Sequence, residues 1–490
     1  MPSPAAKEPV PGKHRWLLLL VIGLVAGGCQ QQTDSTGDDS SATVPERPLH
    51  VTVTDDPELA KAIAREWKSR AGMEITVENI TTAQLRESKR LKTDLIIYPA
   101  AHLGDLAEQR LLLPLPKYLS DKLPQHNKGL LPIAKKTEVS WGPEQYAASF
   151  GSPQLLLYYR RDIFSELELQ VPETWQDYQQ LVTVLSDREK VAAWIGDENQ
   201  PWQAAAEPLG PGWASVTLLA RAAAYVRHPN QYSGAFDYLS LEPLISRAPF
   251  VRALEELQKA ASPIAIDQLT ATPASARQLF YQGHAAMALS WPSLAATHLT
   301  EQSASEAVST AWALLPGSRE VYNASDSIWE TLPRQESAHV PLLAISGRLG
   351  SISRNSSHPQ FAADSLLRLT SSKWSASISR RSPFTAMFRA NHLADAIPWM
   401  DVGTETIAAD QFADVLRQSN NSARVMFCLR IPGRDRYLAA LDKAVLGVLR
   451  QESSASEALA DASHRWEEIT DQLGRQEQGR AYRQSLGLEP

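Results

Sequence analysis

YAASFGSPQLLLYYRRDIFSELELQVPETWQDY, Tyr146 to Tyr178, changes character twice within one short stretch. A small-residue segment (Ala147, Ala148, Ser149, Gly151, Ser152, Pro153) opens into an apolar and aromatic run, Leu155 to Tyr159, that reads as a buried strand. A charged helical turn from Arg160 to Glu168 follows. A second helix is then announced by Pro172, with Thr174 as N-cap and Asp177 as its capping-box partner. A strand entered through Gly-Ser-Pro is the pattern of a chain passing from one lobe to another. Tyr158 and Tyr159 point to opposite faces of that strand, so at most one of them, taken here as Tyr159, can face a ligand.

The chain before this stretch alternates strands with helices. LHVTVT (Leu49 to Thr54) is a strand; Asp56 caps a helix with Pro57 at its first position, and Leu59, Ile63 and Trp67 line one face until Gly72. EITVEN, a helix from Thr81 to Leu91, DLIIYP (Asp94 to Pro99) and a short helix from Leu103 to Arg110 continue the series. Such alternation implies right-handed βαβ units, a mainly parallel sheet, and a ligand beyond the carboxyl ends of the strands. That directs attention to Asp55, Asp56, Tyr98 and Pro99.

After the stretch the pattern turns helical and irregular. Trp213 follows Gly-Pro-Gly and opens a helix to about Val226, and a second helix runs from Phe250 to Ala261. A helix ending at Gly283 leads into a small-residue strand that stops at Trp291-Pro292. AWALLPG (Ala311 to Gly317) and VPLLAISG (Val340 to Gly347) read as strands, and residues 318 to 339 between them as a surface loop with a short extended piece. The last third is helical: Pro359 to Leu369, Tyr437 to Leu449, and a helix opened by the Ser454/Glu457 capping box that aligns Leu459, Ala462, Trp466 and Ile469. The final dozen residues read as frayed.

Length and composition agree with a multi-domain globular protein: 490 residues, 43% apolar and 21% charged. The formal charge of -7 becomes about -9 once the leader is removed, since Lys7, Lys13 and Arg15 outweigh Glu8 there (-7 - 2). An acidic chain without a basic stripe argues against nucleic-acid binding. The leader has a basic flank (Lys13, His14, Arg15), an apolar run from Trp16 to Val25, and Ala26, Gly27 and Gly28 before Cys29. Ten apolar residues are too few to span a bilayer and fit the core of an export signal. The run resembles a bacterial lipoprotein signal, with Ala26 where that pattern prefers Leu; the resemblance implies a lipidated Cys29 as the mature N-terminus. Cys428 is then left without a partner and reads as a small buried hydrophobe. Gln30 to Pro48 reads as a flexible polar tether.

Five segments in order resemble the extracellular solute-binding proteins of ABC importers, the family 1 group that includes maltose-binding protein. They are DLIIYPAAHLGDLAEQRLLLPL, LLLYYRRDIFSELELQVPETWQDY, QLFYQGHAAMALSWP, VPLLAISGRLGSISRNSSHPQFAADSLLRLTS and ALADASHRWEEI, spanning roughly residues 49 to 470. The Trp- and Pro-rich region 186 to 245 fits the pattern poorly. The resemblance implies an α/β two-lobe periplasmic-binding-protein fold of type II joined by three crossing strands. On that reading 49–150 and 338–375 form lobe 1, 152–316 and 376–484 form lobe 2, and Gly151, Ser152 and Pro153 are hinge backbone.

The site residues expected from this reading are Asp55, Tyr98, Tyr159, Trp213 and Trp291. An aromatic ring offers an apolar face to the CH face of a sugar, and a carboxylate accepts hydrogen bonds from hydroxyls. Most have a plainer reading: Asp55 and Asp56 compete with helix capping, a strand-end Tyr98 is often core, and Trp291 can be core or a surface plug. Trp175 reads as packing. No HExxH, P-loop, G-x-G-x-x-G or G-x-S-x-G pattern occurs, so neither metal, cofactor nor catalytic residue is expected. The function expected is a membrane-tethered, monomeric capture protein for a sugar or oligosaccharide, working with an ABC permease. A non-sugar solute, a receptor for a membrane sensor, and a secreted hydrolase are the alternatives.

Overall fold

The computed structural model describes residues 48–88, 92–195, 201–264, 269–293, 308–401 and 404–489. Cys29, the leader and nearly all of the polar tether lie outside the described residues. In chain order the elements that position the site begin with β1 (Leu49–Thr54), α1 (Pro57–Arg70), β2 (Ile75–Ile80) and α2 (Thr82–Glu87). β3 (Leu95–Pro99), α3 (Leu103–Glu108), β4 (Leu112–Leu113) and β5 (Ala147–Ser149) follow. The middle of the chain gives β6 (Leu156–Arg160), α4 (Trp175–Leu185), β7 (Gln203–Ala206) and α5 (Ala214–Val226). Next come α6 (Ala248–Ala261), β8 (Ala285–Ser290), β9 (Thr310–Leu314) and β10 (Arg348–Ser353). α7 (Pro359–Leu369), α8 (Arg434–Leu449), α9 (Ala455–Leu473) and α10 (Arg475–Ser485) close the chain.

Two mixed sheets organise the molecule. The first runs β2-β1-β3-β10-β4, with β5 also paired to β10; the second runs β9-β6-β8-β7. β1, β2 and β3 are parallel, as βαβ units require, whereas β10 returns antiparallel between β3 and its other neighbours. In the second sheet β6 runs against both β8 and β9. The expectation of mainly parallel sheets is therefore corrected. β6 leaves the crossing while β7, β8 and β9 run back toward it, so antiparallel pairing around β6 follows from the connectivity.

Local sequence explains the elements that came out as expected. Asp56 Oδ1 accepts from Leu59 N at 3.0 Å, Pro57 opens α1, and Leu59, Ile63 and Trp67 repeat every fourth position, each fully buried. They pack with Val51, Val53, Leu95 and Ile97 of the first sheet and Leu366 and Leu369 of α7. Burying each such side chain contributes about 1.5–3 kcal/mol. The opposite face of that sheet, Ile96 and Tyr98, joins a larger core that runs through α5, α6, α8 and α9.

Three other expectations change. VPLLAISG is a strand only at Leu342–Leu343; the long strand is the next segment, RLGSIS, and the residues between bend, with Ala344 at φ +59° and Gly347 at φ +107°. Residues 318–339 hold a hairpin, Glu320–Asn323 with Ile328–Thr331. The final dozen residues are not frayed: α10 buries Tyr482, whose ring centroid lies 5.4 Å from that of Phe236. Arg480 pairs with Glu108 at 2.7 Å, and Gly142 N donates to Gln484 O at 2.9 Å. α10 thus ties the end of the chain back to α3.

Candidate functional site

The geometry of the site follows from where strands end. Ser149 ends β5 and Leu156 begins β6, so the stretch from Phe150 to Leu155 is what separates the two sheets there. Six residues reach at most about 20 Å when extended. On the first sheet the edge beside this crossing carries Asp55 and Asp56 after β1, Pro99 at the end of β3, and Arg348, which pairs with Pro99. On the second sheet Leu156 pairs with both Ser290 and Leu314, which places Trp291 and Leu315 next to the crossing. β7 runs parallel to β8, so it delivers the turn from Glu207 to Trp213 to the same edge.

The crossing is tight backbone. Phe150 N donates to Arg348 O at 2.9 Å and Arg348 N to Gly151 O at 3.1 Å. Gly151 sits at φ +106°, and a Cβ there would collide with Ala386 O; Gly347 sits at φ +107°, and a Cβ there would collide with Ser152 Oγ. Three chain segments, near 151, 347 and 386, thus pass in contact, and only glycine fits at two of these places.

Two tryptophans meet at the edge of the second sheet. Trp213 and Trp291 have ring centroids 5.9 Å apart with planes tilted by 47°; Trp213 is half-buried and Trp291 is 6% exposed. The Trp213 turn is held by Asp442 of α8, whose two oxygens accept from Gly212 N at 2.9 Å and Ser215 N at 3.0 Å. A carboxylate there satisfies donors at the α5 N-terminus and complements its dipole. Trp291 is held from behind: its carbonyl accepts from Arg277, which pairs with Asp401 at 3.2 Å, both side chains being buried. Tyr281 and Tyr158 donate to Asp401 at 3.1 and 3.4 Å. Burial first, and the Asp401 charge second, pushes both phenols well above their ordinary range. The two tilted rings form a wedge, with Arg277 and Asp401 fixing the buried Trp291 and Trp213 left partly open to solvent.

The edge of the first sheet beside the crossing is charged. Asp55 is exposed, at φ +50°, and its Oδ2 accepts from Thr82 N at 2.9 Å and Thr82 Oγ1 at 2.5 Å. Asp56 is buried against Arg348 at 3.2 Å and accepts from Ser382 Oγ at 2.5 Å. Burial nevertheless raises the Asp56 carboxyl and lowers the Arg348 guanidinium, so desolvation outweighs their attraction on both sides. The Arg348 guanidinium also lies 4.3 Å over the Phe384 ring.

Of the residues named from sequence, the structure brings Trp213 and Trp291 together and leaves Asp55 exposed at the strand edge. Tyr98 is a correction: it is fully buried, and its hydroxyl shares a 2.7 Å hydrogen bond with Ser351, so the ring is core on the inner face of the first sheet. Tyr159 is a second correction. It lies toward the end of β6 away from the crossing, with its ring 4.7 Å from that of Phe164. Trp175 packs as expected, under the guanidinium of Arg221 at 4.0 Å. Sequence reasoning missed Arg277, Asp401 and Asp442. The available signal was Asp442 itself, a charge inserted among Leu438, Leu441 and Val445 on the buried stripe of α8. Among the described residues, no group of three or more His, Cys, Asp or Glu could hold a metal ion, and no helix is long and apolar enough to cross a membrane.

Two mixed sheets linked by glycine crossings, with the tryptophan pair at one strand edge and Asp55 at the other, make a two-lobe α/β architecture. The chain belongs to the bacterial extracellular solute-binding protein family, whose model matches residues 52–318. That family places the protein among exported binders. A search of curated proteins returned no match. Solved structures resemble it over most of its length. An ABC transporter solute-binding protein from Agrobacterium radiobacter in complex with ribitol is 17% identical, with TM-score 0.60, covering 86% of this chain and 100% of that one. A solute-binding protein from Agrobacterium vitis with bound D-mannitol is 16% identical, with TM-score 0.61 and coverages of 87% and 99%. A maltose-bound protein of T. maritima is 16% identical, with TM-score 0.60 and coverages of 86% and 100%.

Proposed function

We propose that this protein captures a sugar or polyol outside the cytoplasm and hands it to an ABC permease, tethered to a membrane through lipidated Cys29. The observation that carries the solute class is the tilted Trp213–Trp291 pair at 5.9 Å beside the crossing. Asp55 on the opposite edge supplies an acceptor for hydroxyls. Relatives with the same fold carry ribitol, D-mannitol and maltose in their structures, which supports the same chemistry here. Residues 49–150 and 338–375 act as one lobe and 152–316 and 376–484 as the other, with Gly151, Ser152 and Pro153 flexing between them. A solute touching both edges binds the closed arrangement better than the open one, so it shifts the hinge equilibrium. The chain works as a monomer that binds without converting its ligand.

A thermal-shift panel of polyols, monosaccharides and maltodextrins on the purified protein tests the solute class. Saturable stabilisation by at least one member is expected. Silence across the panel, together with a shift from an amino acid or peptide, would reassign the site. Release of the membrane-bound protein by Cys29→Ser tests the anchor.

A further inference from the structure

A cavity of about 130 Å³ lies between the loop after α5 (Arg227, Tyr232), the stretch 425–430 and the end of α10 (Tyr482, Ser485). Two arginines line it, and their charge is poorly matched. Arg430 is 2% exposed; its two terminal nitrogens donate to the carbonyls of Glu138 at 3.1 Å and Ser485 at 2.5 Å, and its face lies 3.7 Å over Phe427. Its Nε is buried with no hydrogen-bond partner among the described residues. Arg227 donates from one terminal nitrogen to Gln231 O at 2.6 Å, and its Nε is likewise buried without a partner among the described residues. The guanidinium of Arg424 sits close by, donating to Arg227 O at 3.1 Å.

The acids that could answer these charges fall short. Burial lowers Arg227, and the one group that favours its charge is the Tyr482 phenol. Arg430 has Glu138, but burial raises that carboxyl to about 7, which leaves it half-neutral near neutral pH. Glu336 answers Arg424 alone. A buried guanidinium with an unpaired N–H is costly, and the strongest remedy is an oxyanion that accepts from several donors at once. The cavity matches roughly four waters of liquid volume at about 30 Å³ each, which suits an ion of a few heavy atoms.

We propose that this cavity binds a small tetrahedral oxyanion, of the phosphate or sulfate class, between Arg227 and Arg430. The site is separate from the tryptophan wedge, since neither Trp213 nor Trp291 lines it, and it stands or falls independently of the solute assignment. A bound oxyanion draws the 227–235 loop, the 425–430 stretch and α10 together, so it fastens the end of the chain to the body.

Inorganic phosphate and sulfate are titrated against chloride at matched ionic strength, with melting temperature as readout. Phosphate or sulfate should raise Tm saturably by a few degrees and chloride should not. Arg227→Gln should abolish the saturable part while solute binding at the wedge stays unchanged. Cys428 lines the same cavity and is buried, so its reaction with a thiol reagent in the Cys29→Ser protein gives a readout that needs no cavity variant. Phosphate should slow that reaction severalfold. Equal shifts with chloride, a saturable shift that survives Arg227→Gln, or an unchanged Cys428 rate in saturating phosphate would each overturn the proposal.

Discussion

Glu138 offers the sharpest test of how the crossing is built. The residue is 1% exposed, its two carboxyl oxygens are buried, and the groups that act on it are Ser152, the Ala344 backbone and Arg430. Burial dominates and raises its pKa from 4.5 to about 7. At 1.36 kcal/mol for each step of one in pKa, charging this carboxyl in the folded state costs about 3 kcal/mol. Because the folded value is raised, the folded state holds a proton that the unfolded state has already released. The contribution is fully present below pH 4.5, declines as pH rises through 7, and is gone above it. Glu138→Gln keeps the shape and removes the titration. Urea midpoints at constant slope, measured from pH 5 to 8.5, should fall with pH in the wild type and stay flatter in the variant, with Glu138→Gln more stable by about 2–3 kcal/mol at pH 8. Parallel curves for the two proteins would refute the claim that this carboxyl is buried at the crossing.

Other perturbations have equally definite signs. Gly151→Ala places a Cβ against Ala386 O at φ +106° and should cost more than about 1 kcal/mol, read as a lowered denaturation midpoint. Arg277→Met takes away the guanidinium paired with the buried Asp401 carboxylate and should cost about 3–5 kcal/mol, whereas Arg277→Met with Asp401→Leu should recover much of that loss in the same assay. His339 is buried, with one ring nitrogen 2.9 Å from Leu315 O, and burial lowers it to about 4. The unfolded state therefore binds its proton first, and stability should drop as pH falls from 6.5 toward 4; His339→Asn should flatten that acid limb in a pH series of melting temperatures.

Much of the fold was legible because its signals are local. The Asp56 cap, the Thr174/Asp177 capping box and the Ser454/Glu457 capping box each stand three residues before their partner, and all three form as read. β1 and β3 are short apolar runs bounded by acids and proline, and both are strands. RLGSIS was missed because its strand state is tertiary: it has two serines and a glycine, and it is extended because it fills the slot beside β3. α10 was missed for a similar reason. RQEQGRAYRQS reads as polar and frayed, yet Ala481 and Tyr482 are buried and Arg480 reaches Glu108.

The site was half legible. Trp213 and Trp291 stood out because each sits at an element boundary beside glycine or proline, where a side chain is presented at an edge. Tyr98 carried the same cue beside Pro99 and turned inward, since a strand-end aromatic satisfies either environment and only its neighbours decide. The pairings that hold the tryptophans were illegible: Asp442 stands out on its helix, but it reaches Ser215 across 227 positions of sequence, and no local pattern encodes such a pairing.

If the tryptophan wedge binds a sugar or polyol, isothermal titration of the solute that gives the largest thermal shift should show it on wild type and on Trp213→Ala. Trp213 is half-buried, so its loss should leave the fold intact while removing one aromatic face. The predicted result is saturable one-to-one binding that weakens at least about tenfold in the variant, equivalent to roughly 1.4 kcal/mol. Unchanged affinity in Trp213→Ala would contradict it.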